Sequence, residues 1–131
     1  MEIIGHGIDV VAIERIAALL QAHGDRFRQR VYTPAEQALA DASGPRCAER
    51  YAVRFAAKEA ALKALGTGLR GGIAWTDIEI VASWIGRPEL ILRGEAHALA
   101  ARMGIDRWLV SLSHSGGIAV ASVIAVRGRR D

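Results

Sequence analysis

Asp9 and Glu59 are the two carboxylates of this chain whose neighbours suit a carboxylate least. Asp9 follows Gly7 and Ile8 and precedes Val10 and Val11, at the end of an apolar run rich in β-branched residues. An unpaired charge buried in such company costs on the order of several kcal/mol, so Asp9 requires a partner. Three fit: the start of a following helix, which aspartate commonly caps, a salt bridge to Arg15, or a cation shared with a second acid. Glu59 lies in Arg54-Phe-Ala-Ala-Lys-Glu-Ala-Ala-Leu-Lys63. At about 100° per residue it falls within about 40° of Phe55, with Lys63 about 40° further round. Both therefore flank the apolar stripe instead of opposing it. Their i,i+4 order, glutamate first, equally suits a surface ion pair worth at most about 0.5 kcal/mol. Lys58 falls between Leu62 and Leu65 on the same wheel, a place where its stem is expected to snorkel.

Two carboxylates without a Cys/His cluster favour a hard cation. Magnesium is commonly held by one or two carboxylates, with water and substrate phosphates completing its shell. Lysines beside such a site are what phosphoryl chemistry needs. In Ser111-Leu-Ser-His114, the histidine shares strand parity with Val110 and Leu112. That parity points it to the core side, where a lone histidine is ordinarily structural. Ser113 and Ser115 have no placed base and are not credible nucleophiles. Gly66-Thr-Gly68 with Gly71-Gly72 offers backbone N–H groups to a phosphate, or is simply a turn. The chain has no P-loop and no dinucleotide glycine pattern.

The elements that must position these residues follow from the apolar periodicity. A strand is expected over residues 3–10, broken by Gly5 and Gly7, then a helix over 11–23 closed by Gly24. Thr33-Pro-Ala-Glu36 predicts a helix start with a capping box. The longest helix is expected over 46–65, ended by Gly66. Strands over 75–81 and 88–92, a helix over 94–103, and a hairpin of 108–113 with 118–126 complete the chain. In the first of these, Ile78 and Ile80 take one face, Asp77 and Glu79 the other. Strands gathered in the second half predict an α+β fold. Its sheet should be rich in antiparallel strands and packed with a long central helix.

At 131 residues the chain has room for one domain, 1–131, whose end, 127–131, reads as a mobile basic tail. One cysteine, Cys47, excludes an internal disulfide and fits a reducing compartment. No run of about 18 apolar residues suggests a membrane span, and Glu2, Asp9 and Glu14 break up any signal peptide. The cytoplasm is the expected location, with no membrane partner. A net charge of +3 and a pI near 9.6 suit an acidic partner. A nucleic-acid module would interleave basic residues with exposed aromatics. Trp75, Trp84 and Trp108 instead lie in or beside apolar strands, so no nucleic-acid partner is expected.

Five segments in order resemble one family. They are Gly7-Ile-Asp9 with Ile13-Glu-Arg15; Arg54-Phe-Ala-Ala-Lys-Glu59 running to Lys63-Ala-Leu-Gly66-Thr-Gly68; Asp77-Ile-Glu79; Gly86-Arg-Pro88; and Ser111-Leu-Ser-His-Ser115. Together they resemble the holo-[acyl-carrier-protein] synthases, the small trimeric class of 4'-phosphopantetheinyl transferases. The resemblance implies transfer of the phosphopantetheine arm of coenzyme A to a serine of apo acyl carrier protein. Adenosine 3',5'-bisphosphate is released. Asp9 and Glu59 match the family's Mg2+ ligands. Glu59, directly or through a metal-bound water, would help deprotonate the carrier serine, and Lys63 would stabilise the leaving phosphate. Arg54, Lys63, Gly66, Gly68, Arg87, Pro88 and His114 fall where the family contacts coenzyme A. The class is homotrimeric with sites at subunit interfaces, so the Gly86–Pro88 and Ser111–Ser115 segments would meet a neighbour's Asp9 and Glu59. Arg15, Arg26 and Arg28 fall where the family docks its acidic carrier. His6 departs from the small or apolar residue commoner there, and Trp75 stands where the family varies. A different phosphate-transferring metalloenzyme, or a family member kept only as a structural protein, are the competing readings. The ordered segments oppose the first; intact Asp9, Glu59 and Lys63 oppose the second.

Overall fold

The chain is described by a computed structural model over residues 1–82 and 85–128. Trp84 and residues 129–131 of the expected tail lie outside the described residues. The first strand, β1 (Glu2–Ala12), leads into α1 (Ile13–His23), α2 (Asp25–Val31), α3 (Pro34–Asp41) and the long α4 (Cys47–Leu65). A hairpin of β2 (Ile78–Ala82) and β3 (Pro88–Leu92) follows, then α5 (Gly94–Arg102) and a second hairpin of β4 (Arg107–Ser115) and β5 (Ile118–Arg127). The fold is α+β, as its sequence pattern implies, and all strand pairs are antiparallel. One sheet has the order β1-β5-β4, the other is the β2-β3 pair.

The three-stranded sheet packs on α4 through small residues. Ala119, Ala121, Val123 and Ala125 of β5 are buried beneath Ala56, Ala57, Ala60, Ala61 and Ala64 of α4. β1 comes closest. A Cβ placed on Gly5 would lie 2.1 Å from the carbonyl oxygen of Ala64, and one on Gly7 1.8 Å from that of Ala60. The two glycines that interrupt the strand pattern are therefore where strand and helix backbones touch. The opposite face of the sheet carries Ile8, Val10 and Leu109, all exposed.

α3 begins with the expected capping box. Thr33 Oγ1 accepts from Glu36 N at 3.3 Å, and Glu36 Oε1 accepts from Thr33 N at 2.9 Å. Glu36 is only 2% exposed because its carboxylate also serves two other elements. It accepts from Ile80 N at 2.9 Å and pairs with Lys58 Nζ at 2.7 Å. Lys58 is 0% exposed, so it does not snorkel. Its three ammonium hydrogens have three acceptors: Glu36 and the carbonyls of Trp75 and Ile78.

Three departures from the sequence pattern have local causes. Residues 25–31 form a helix whose apolar face is only Phe27 and Val31, too sparse a signal within Asp25-Arg-Phe-Arg-Gln-Arg-Val31. Trp75–Asp77 is a 3-10 turn instead of strand, held by Asp77 Oδ2 accepting from Ala74 N at 3.0 Å. Glu79 does lie opposite Ile78 and Ile80, but that face is covered too, leaving it 5% exposed. It accepts from Thr33 Oγ1, and from Arg93 Nη2 at 2.8 Å. Burial pushes the Glu79 carboxyl upward. The Thr33 and Arg93 hydrogen bonds, with the charges of Arg93 and Lys58, outweigh this and hold it below the usual carboxylate range. Among the described residues, no helix is long and apolar enough to cross a membrane.

Candidate active site

Asp9 sits three residues before the end of β1, and the N-cap of α1 is Ala12. Asp9 therefore does not cap the helix. Nor does it pair with Arg15, whose guanidinium lies over the Phe55 ring, 5.6 Å from its centroid. Its partner is Lys63, Nζ to Oδ1 at 3.1 Å, and the same ammonium donates to the Ile8 carbonyl at 2.9 Å. Lys63 is thus committed to β1, and the i,i+4 pair with Glu59 is not formed among the described residues. Glu59 stands half-buried on α4 beside this pair. Its carboxyl is pushed above the usual range by burial and by the negative charge of Asp9, with Lys63 and Arg15 pulling the other way. The close contact at Gly7, two residues before Asp9, is what brings the strand-borne carboxylate to the helix-borne one.

A carboxyl raised by burial and by a neighbouring carboxylate is a candidate functional group, and two carboxylates are donors that suit a hard cation. Among the described residues no three His, Cys, Asp or Glu cluster together. A cation held here would have two protein carboxylates and would need its other ligands from elsewhere, a donor set that fits magnesium and not structural zinc. Just beyond Lys63, Gly66 ends α4 in the left-handed conformation at φ 82° and donates to Leu62 O at 2.9 Å. Gly68 also has positive φ, so the chain leaves the end of α4 through two left-handed glycines.

The remaining expected residues gather elsewhere. Arg54, Arg87, Pro88 and His114 line one open pocket of about 730 Å³ together with Arg50 and Ser113. Arg54 is only 7% exposed, donates through Nη1 to Arg50 O at 3.3 Å, and among the described residues its buried Nε has no hydrogen-bond partner. Burial lowers its pKa, with the Glu36 charge opposing and Arg50 adding to the effect. Arg50, Arg54 and Arg87 thus bring three guanidinium groups to one pocket, a lining that suits an anion. His114 keeps the α4-facing parity of Val110 and Leu112 but is exposed, because β4 is the edge strand of its sheet; its register partner on β5, Ala119, is fully buried. Its Nε2 lies 3.3 Å from Oε2 of Glu49. Arg50 and Glu49 escaped notice in the sequence, although Arg50 stands i,i+4 to Arg54 on the same helix.

The two clusters lie on different sides of α4. Arg54 and Lys63 are nine residues apart, about 13.5 Å along the axis, and about 180° apart around it.

The sequence pattern of the 4'-phosphopantetheinyl transferase superfamily matches residues 5–121. The chain belongs to that superfamily. Among transferases of this family, the holo-[acyl-carrier-protein] synthase of Koribacter versatilis is 49% identical over 122 residues, covering 93% of this chain and 97% of its own. That of Anaeromyxobacter dehalogenans is 50% identical over 125 residues, covering 93% and 94%. The solved holo-[acyl-carrier-protein] synthase of Neisseria meningitidis superposes with a TM-score of 0.86 at 36% identity, over 95% of this chain and 99% of that one. The Helicobacter pylori enzyme, in complex with coenzyme A, gives 0.80 at 30% identity over 92% and 99%.

Of the three arginines expected to dock a carrier, Arg15 and Arg26 are exposed on α1 and α2. Arg28 is half-buried and engaged within the transferase fold. It lies 3.1 Å from Asp25, 3.6 Å from Asp41, and over the Tyr51 ring at 6.0 Å.

Proposed function

We propose that Asp9, Glu59 and Lys63 form one half of an active site and the arginine pocket the other. The protein transfers 4'-phosphopantetheine from coenzyme A to a serine of apo acyl carrier protein, giving the holo form and adenosine 3',5'-bisphosphate. The observation that carries the site assignment is the convergence of Asp9 and Glu59 across the β1–α4 contact, with Lys63 between strand and helix. Asp9 and Glu59 would hold Mg2+, which when bound neutralises charge on the pyrophosphate of coenzyme A. Glu59, directly or through a water, takes the proton from the serine Oγ. The serine oxygen attacks the phosphorus that bears the pantetheine arm, and the bond to the bridging pyrophosphate oxygen breaks. Lys63 stabilises the negative charge on the departing phosphate. Arg54, Arg87 and His114 grip the phosphates of coenzyme A, and the Gly66–Gly68 turn supplies backbone N–H groups beside Lys63.

Because α4 presents the two halves to opposite sides, a complete site draws them from neighbouring copies. The exposed Ile8, Val10 and Leu109 on the outer sheet face support a homotrimer closed through that face. Arg15 and Arg26 offer exposed positive charge to the acidic carrier, with Arg28 bracing α2 against α3 and α4. We assign this work to fatty-acid biosynthesis in the cytoplasm. A nucleic-acid role is disfavoured because Trp75 is stacked on Phe55 at 5.3 Å and Trp108 packs against the core.

The test is incubation with coenzyme A, Mg2+ and apo acyl carrier protein, followed by intact mass. The carrier should gain one phosphopantetheine. Asp9→Asn and Glu59→Gln should each abolish that gain while melting cooperatively. Near-normal rates in either variant at saturating Mg2+ would overturn the site assignment.

A further inference from the structure

Lys63 holds the position that a cation would hold on β1. Its ammonium is 3.1 Å from Oδ1 of Asp9 and 2.9 Å from the carbonyl oxygen of Ile8, a carboxylate and a backbone oxygen converging on one charge. Glu59, half-buried on α4 beside this pair, brings a second carboxylate to the same corner. Neighbouring carboxylates repel each other, and a cation beside them relieves that repulsion whether or not a divalent ion is bound. From this geometry we propose that Lys63 is the resident counterion of the metal site: it neutralises Asp9 while the divalent ion is absent and is displaced from Asp9 when the ion binds. This inference rests on the proposed metal site.

The side chain is built for such an exchange. Lys63 is 52% exposed, so its four-carbon stem can swing without opening the core. Its contacts are two single hydrogen bonds with no carboxylate fork, and each is replaceable by water. A divalent ion approaches carboxylate oxygen at about 2.1 Å. It cannot share Asp9 Oδ1 with an ammonium at hydrogen-bond distance without strong repulsion. Displacement then frees the ammonium for the phosphate that the same ion recruits. Metal binding and arming of the lysine become one event.

This arrangement makes Lys63 a competitor of the metal. A neutral side chain at this position should therefore raise affinity for the ion. The Coulomb term between a unit charge and a divalent ion a few ångströms apart near the surface corresponds to about a tenfold change. A lysine that only contacts substrate would leave metal affinity unchanged, and one that supports the metal shell would weaken it on removal.

The experiment measures free Mn2+ by electron paramagnetic resonance with the metal alone, without coenzyme A. Wild type, Lys63→Gln, Lys63→Arg and Asp9→Asn are compared. Lys63→Gln should bind about tenfold tighter than wild type, and its thermal midpoint should rise more steeply with added Mn2+. Lys63→Arg should bind like wild type, and Asp9→Asn should lose binding. Equal or weaker binding by Lys63→Gln, with the wild type still binding, overturns the counterion role and leaves the metal site standing. Absence of binding in both overturns the metal site and the counterion together. In the wild type itself, labelling of Lys63 by an amine reagent, mapped by peptide mass, should accelerate when Mg2+ is added. An unchanged or slower rate overturns the displacement.

Discussion

Replacing Gly7 by alanine tests how the two carboxylates are brought together. The added Cβ would lie 1.8 Å from the carbonyl oxygen of Ala60, 2.8 Å from its carbonyl carbon, and 2.9 Å from Cβ of Lys63. Gly7 does not have positive φ, so alanine suits the local backbone and the conflict is purely one of space. Both colliding partners are main chain or its first side-chain atom, on a strand and a helix that cannot flex independently. Strand and helix must separate by over an ångström. Overpacking of this kind typically costs 1–3 kcal/mol, and backbone against backbone belongs at about the upper end. In a chain of this size about 3 kcal/mol lowers the melting temperature by roughly 10 °C. Gly5→Ala meets a similar obstacle, 2.1 Å from the Ala64 carbonyl oxygen, but four residues from Asp9 instead of two. The assay is carrier modification at a temperature where both variants remain folded, beside thermal melting of each. Both should lose comparable stability, and Gly7→Ala should lose at least tenfold more turnover. A Gly7→Ala protein with wild-type melting and turnover would refute the claim that this contact sets the distance between Asp9 and Glu59.

Two further outcomes follow from the buried charges. Lys58→Met strands the Glu36 carboxylate in the core and should cost about 3–5 kcal/mol, whereas Lys58→Met with Glu36→Gln should recover a large part of that loss; urea unfolding of the three proteins measures the difference, and equal stability of single and double variants would show the pair to be uncoupled. Glu79 has a folded pKa held below its unfolded value, so its contribution to stability is present above the ordinary carboxylate range and is lost as pH falls through the depressed folded value. Melting followed from pH 6 down to pH 3 should therefore fall less in Glu79→Gln than in wild type, and parallel curves would assign the acid sensitivity to other groups.

The order of elements and the α+β class were legible because apolar periodicity and glycine punctuation act locally. The capping box at Thr33 and Glu36 was legible for the same reason. Lys58 stands out on the helical wheel, but nothing local reveals that Glu36, Trp75 and Ile78 converge on it, so the sequence pattern points its ammonium to the surface. Asp9 and Glu59 each had a bland local explanation, a cap and an ion pair. The fold removes both by placing Asp9 three residues inside the strand and giving Lys63 to Asp9. His114 misled because strand parity says which way a side chain points, and not whether anything covers that side. Arg50 and Glu49 were illegible because their interest comes only from the β3 and β4 residues around the same pocket.

Arg54 and Lys63 leave α4 on opposite sides, and this bears on inheritance. In the proposed trimer each chain lends a different half to each of two active sites. A chain defective in both halves silences both sites it helps to build and leaves one working site, made wholly by its two intact neighbours. A chain defective in one half silences a single site. Alleles that damage Asp9 and Arg54 together should therefore behave as partly dominant when expressed beside the normal gene, whereas alleles that damage different halves should partly complement one another.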